Sequence, residues 1–338
     1  MTRSVRWPGL KLCATSLVYT LLVRAAVGPA AFVIVEKGSS HVGFFDENGA
    51  LVKEVETGQH PHEMAFSSDG KYLFTSDNGV MDMREKGQGW NTVSIIDVKA
   101  ERRVGHIDLG EHRRPHGIDF DPATGHVLVT TELPSALLVL DPKERRVLRV
   151  YDVHGKAPHM VRLAADHRTA WVTCTDTSNV SIVDLQTDSV KTLPTGRRPQ
   201  GIVIAPDGKR VYVANSDGET ITVIDTIRKE LTGDIPVGGS HSGPVRVAVA
   251  PDGRSIIAAL QLKHGVQFAD ATTMKAGKEL PLPGPPVSIT LSADGRTAYC
   301  AVLQQETIFI ISVPEQRILR SFKTPPGSGP DPVLPIPR

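Results

Sequence analysis

Arg210-Val211-Tyr212-Val213-Ala214-Asn215, followed after a short polar break by Thr220-Ile221-Thr222-Val223-Ile224-Asp225, is the stretch that decides the fold. Both runs are short and rich in β-branched and aromatic residues, the composition of strands. Just upstream, residues 199–205 open on proline and lead into Asp207-Gly208. Asp-Gly turns a hairpin because glycine accepts positive φ without steric cost. Downstream, residues 230–237 form a fourth, more polar segment. Four strands within about 40–45 residues is the spacing of one propeller blade.

The same unit recurs along the chain. An apolar strand ending in Asp appears at 42–46, 93–97, 137–141, 181–184, 221–225 and 266–270, and a copy at 308–312 ends in Ser. From Asp46 to Asp97 the step is 51 residues, and the later steps are 44, 43, 41, 45 and 42. Asp-Gly turns fall at 69–70, 207–208, 252–253 and 294–295, with Asp121-Pro122 to Gly125 and Asp166-His167 in the equivalent places. Seven equivalent units exclude a sandwich, and a β-helix uses shorter coils. The first unit lacks its leading strand, while the tail Gly329-Pro330-Asp331-Pro332-Val333-Leu334 has the form of one. The expected fold is therefore all-β: a seven-bladed propeller over 31–338, closed by a C-terminal strand added to the first blade, which removes a sheet edge.

Composition agrees with a soluble, many-turned protein: 30 Gly and 25 Pro in 338 residues, 40% hydrophobic, net charge +1. So even a balance gives no general attraction to nucleic acid or membrane. No aromatic-interleaved basic stripe marks a single-strand binder. The N-terminus differs from the rest. Arg3, Arg6 and Lys11 precede an apolar run from Leu12 to Val23, then small residues Ala25, Ala26, Gly28 and Ala30. This is the pattern of a secretory signal with cleavage near 28–31, and residues 1–30 are read as a signal peptide or an N-terminal anchor. A periplasmic or secreted location follows, with membrane contact only if the segment stays uncleaved. Cys174 and Cys300 fall in blades on opposite sides of the ring. A disulfide needs Cα atoms within about 7 Å, so two free, half-buried thiols are expected.

The runs at 210–215 and 220–225 resemble the YVTN repeat of YncE-like β-propellers, which are similar to lactonase-type and cytochrome d1-type propellers. The resemblance spans roughly 31–334. It implies the fold and leaves the activity open, because that family carries binding and catalytic members alike. Residues 256–259 and 298–301 depart from the repeat.

Topology names the candidate site. Loops into each first strand and loops joining second to third strands share one mouth of the channel. The residue after the leading proline is His62, His116 and His159 in blades two to four, and three imidazoles there could hold a transition metal. Blade two carries about eight extra residues within 79–90. Such long connections are often lids. In it, Trp90 and two Met are candidates to cover an apolar ligand, and Arg84 or Lys86 to meet an anion. Arg114, Asp176, Gln200, Asn215, Gln261 and Gln304 are expected on the same rim as ligand-binding residues, with His41, Asp77, His264, Arg113, Arg197 and Arg198 nearby. Arginine forks suit carboxylate or phosphate. Glu132 is the candidate general base. P-loop, dinucleotide, zinc-helix, nucleophile-elbow and haem-attachment motifs are absent from the sequence. The expected function is a monomeric binding module for a small molecule or a protein. Its rivals are a lactonase-type metal hydrolase, with His62, His116 and His159 on the ion and Glu132 relaying the proton, and a scaffold that docks a partner through 79–90.

Overall fold

The computed structural model describes residues 27–337. Cys13 and most of the segment read as a signal or anchor lie outside the described residues. Seven four-stranded antiparallel sheets form the ring. Pro330–Pro335 supplies the innermost strand of blade one, beside Ala30–Glu36, with Ile34 opposite Val333 and Val33 opposite Leu334. The C-terminal closure expected from the Pro-led tail is present.

The recurrent strand-ending aspartate has a local cause. Its carboxylate accepts backbone N–H groups of the turn that follows: Lys143 and Glu144 on Asp141, Ile227 and Arg228 on Asp225, Thr272 and Thr273 on Asp270. This is the Asx-type capping that favours Asp at a turn. In blade seven the Ser312 hydroxyl accepts the Glu315 N–H instead, which explains why serine stands there. At the hairpin tips Gly208 and Gly253 have φ of 70° and 67°.

The apolar core is divided among the seams between blades. In Arg210–Asn215, Val211 and Val213 pack against blade four beside Trp171, whereas Tyr212 and Ala214 pack against blade six beside Ile256 and Leu260. Period-two alternation therefore serves two cores, one on each face. The seam between blades seven and one joins Tyr299 and Ile308 to Phe32, Ile34 and Val333. The thiols of Cys174 and Cys300 lie in separate seams, fully buried rather than half-buried, and burial pushes them up to about 11 and about 12.

Asp77 and Asn215 occupy equivalent places at the ends of second strands. Thr92 and Ser94 donate to the Asp77 carboxylate at 2.6 and 2.8 Å. In blade five the Asn215 amide bonds Thr220 and Thr222 at 3.0 and 2.8 Å. Both side chains turn into their blades, and the Asn215 Oδ1 is left buried without a hydrogen-bond partner among the described residues. Burial raises Asp77 from 3.8 to about 6 against the lowering effect of those hydroxyls. The folded state thus holds the proton more tightly than the unfolded chain. The cost of ionisation is absent below about pH 4, grows as pH rises to 6 and then stays. Asp77→Asn, copying blade five, should be more stable than the parent by up to about 3 kcal/mol at pH 8, with the gain fading below pH 5. Denaturant midpoints at pH 5 and pH 8 measure it, and an identical difference at both values would contradict the account.

Candidate functional site

Each innermost strand begins with a bulge. Register shifts lie between Pro61 and Met64, Pro115 and Ile118, Pro158 and Val161, and Pro199 and Ile202. Bulges re-aim side chains, and the residue inside each is His62, His116, His159 or Gln200. Hydroxyls of the neighbouring blade fix these positions. Ser76 donates to the His116 carbonyl at 2.6 Å, Thr130 to that of His159 at 2.8 Å, and Thr173 to that of Gln200 at 2.9 Å. Gly117 permits the approach, because a Cβ there would stand 2.4 Å from the His159 carbonyl oxygen.

The three imidazoles meet on one wall of a cavity of about 360 Å³ at the mouth. His62 Nδ1 lies 3.0 Å from His116 Nε2, and His62 Nε2 lies 2.7 Å from the Val80 carbonyl. His116 and His159 pack closely, with centroids 3.8 Å apart and their planes tilted by 40°. All three are held well below the usual histidine range. Burial is the first cause for each, joined by Lys37 for His62, by the other two rings for His116, and by Arg246 for His159. Among the described residues no group of three or more His, Cys, Asp or Glu is arranged to hold a metal ion. The residues as placed do not fit the expected metal.

Gln200, Gln261 and Gln304 complete the rim across blades five to seven, with Val245, Val287 and Leu303 as an apolar flank. Asp331 follows Pro330 as His62 follows Pro61 and so takes the rim position of blade one, where it pairs with Lys37 at 2.7 Å. The signal was present in the Pro-led tail but needs the closed ring to be read. Arg246, one residue deeper on its strand, is paired with Glu63.

The 79–90 loop is bound to the mouth. Met81, Asp82, Met83 and Arg84 line the cavity. The Arg114 guanidinium donates to the Glu85 and Gly87 carbonyls at 2.5 and 2.8 Å, reaches the Met83 carbonyl at 3.4 Å and pairs with Glu132 at 3.2 Å. Arg114 therefore anchors the loop, and it and Glu132 stand outside the cavity lining. The guanidinium meets one carboxylate oxygen of Glu132, the other is buried without a partner among the described residues, and burial raises Glu132 from its ordinary value. Trp90 also stands away from the cavity, since its backbone bonds Asn78 and Arg114 and its side chain is partly exposed. Asp176 sits outside the lining, facing Arg198 at 3.8 Å.

The choice-of-anchor I domain family matches residues 23–195, half of the chain. The chain belongs to the choice-of-anchor I family. This choice-of-anchor I protein is also a YncE-like seven-bladed propeller. Protein YncE of Salmonella typhi is 25% identical over 307 residues, 74% of this chain and 84% of YncE. Hydrazine synthase subunit beta of Kuenenia stuttgartiensis is 29% identical over 225 residues, 59% of this chain and 54% of that subunit. Among solved structures, hydrazine synthase of Kuenenia stuttgartiensis has a TM-score of 0.70 at 18% identity, covering 88% of this chain and 99% of that one. Dihydro-heme d1 dehydrogenase NirN in complex with DHE has a TM-score of 0.66 at 19% identity, covering 90% and 66%. These structural likenesses carry the fold.

If Arg114 holds the loop of this choice-of-anchor I protein, Arg114→Gln should release it. Trypsin should then cut after Arg84 or Lys86 about tenfold faster at a temperature where the rest of the fold stays intact, although loss of a buried ion-pair partner also lowers the melting temperature. Cleavage timed by mass spectrometry checks this. An unchanged rate means that the loop is held elsewhere.

Proposed function

We propose that the chain is a secreted or periplasmic binding module that holds a small anion in the channel mouth, under the 79–90 loop and against blades two to five. One observation carries the reading: both ring nitrogens of His159 and Nδ1 of His116, buried and without a hydrogen-bond partner among the described residues, lie in the wall of one cavity together with the unpartnered Asp331 Oδ1. Leaving a buried polar group unsatisfied costs about 1–3 kcal/mol, so several around one cavity favour a polar guest. Charge selects its sign. Lys37, Arg84, Arg198 and Arg246 line the cavity against Asp82 and Asp331. Arg198 is loosely held, since its carboxylate neighbours Asp176 and Asp217 stand at 3.8 and 3.6 Å. The loop's internal anchoring by Arg114 supports a lid over this guest more than an arm for docking a protein partner.

Calorimetric titration with a panel of small carboxylates, phosphates and sulfates tests this. At least one class should bind saturably and raise the melting temperature, and Arg198→Ala should weaken it about tenfold. A panel in which nothing binds ends the proposal.

The location rests on Arg3, Arg6, Lys11 and the apolar run that follows them. The first strand begins at Ala30, and the Gly28 N–H donates to Asp46 at 3.0 Å. Processing close to Gly28 keeps that strand whole. Protein exported by a bacterial host should have a mature N-terminus near 27–31 by intact mass, and a chain retaining Met1 in the membrane fraction would favour an anchor.

A further inference from the structure

The Val80 carbonyl can only accept a hydrogen bond, so His62 carries its hydrogen on Nε2. The three rings are buried against one another and beside Lys37 and Arg246, so each is neutral and has a single N–H. His62 Nδ1 is then bare, and at 3.0 Å it accepts the hydrogen of His116 Nε2. That in turn leaves His116 Nδ1 bare. Among the described residues nothing donates to it, and nothing bonds either nitrogen of His159. One tethered loop carbonyl thus sets the tautomers of two histidines in series, and the wall ends in two bare nitrogens and one free N–H.

A plain carboxylate answers only the free N–H of this wall, because to the two bare nitrogens it brings acceptors to acceptors. A hydroxyl can donate to a bare nitrogen and accept from an N–H. Across the cavity, Gln261 and Gln304 offer amides that also meet hydroxyls in either sense. Resting on the anion-site reading above, we infer that the ligand is a polyhydroxylated anion. Its acid group faces Arg198 and Arg84, and its hydroxyls donate to the histidine cluster. The apolar flank of Val245, Val287 and Leu303 suits the C–H face that such a carbon chain presents.

D-gluconate and hexanoate separate the ideas, since both are six-carbon monocarboxylates and only the first carries hydroxyls. Gluconate should bind at least tenfold more tightly than hexanoate, and in His116→Phe, which keeps a ring in the cluster, the ratio should fall to about one. Hexanoate binding as well as or better than gluconate overturns the hydroxyl assignment and leaves the anion site standing. Silence of both acids and of the whole anion panel overturns the two readings together. A second measurement needs no binding-site variant. Imidazole ¹⁵N spectra of the purified protein at pH 7.5 should show His62 and His116 with hydrogen on Nε2, and gluconate should shift His116 Nδ1 as it gains a donor. A hydrogen on His116 Nδ1 in the free protein overturns the inference whatever binds.

Discussion

A blade whose central strands are apolar on both faces cannot stand with one face bare. Tyr212 and Val213 are neighbours in one strand, yet they belong to the cores of different seams. Burying a side chain of that size is worth about 1.5–3 kcal/mol, and every blade has several on each side. An open row of seven would leave two faces in water, so the chain must close. Closure needs a strand that the N-terminal part of blade one does not contain, and Val333 with its neighbours provides it.

From that constraint the site follows. Once the innermost strands stand around a channel, whatever follows each leading proline becomes a rim residue. The rim then reads Asp331, His62, His116, His159, Gln200, Val245 and Val287 in blade order. Five of these are polar, and the two valines form an apolar side. The bulge after each proline and the hydroxyls of Ser76, Thr130 and Thr173 set how far each residue projects.

Much of this was legible in the residues. The strand-ending aspartates, the Asp-Gly tips and the prolines are backbone requirements, and such requirements repeat visibly. What the sequence concealed is the direction of side chains in loops. Asn215 and Asp77 sit next to the mouth in sequence but turn into the blade to meet threonine and serine hydroxyls. Arg114 pairs with one oxygen of Glu132 and donates to the loop carbonyls. Trp90 is fixed through its backbone. Position along a strand repeats with the blade, whereas partner choice depends on insertions unique to one blade. The pairing of Lys37 with Asp331 joins residues almost three hundred positions apart and exists only after the ring has shut.

That ion pair has a further consequence. Lys37 follows the first strand of the ring and Asp331 opens the last, and Lys37 and Gly38 also donate backbone bonds to Gly329 and Ser328. The buckle that fastens the two termini therefore forms part of the cavity wall. Any guest lodged there leans on the clasp, and since a ligand stabilises only the state that binds it, filling the mouth also fastens the belt.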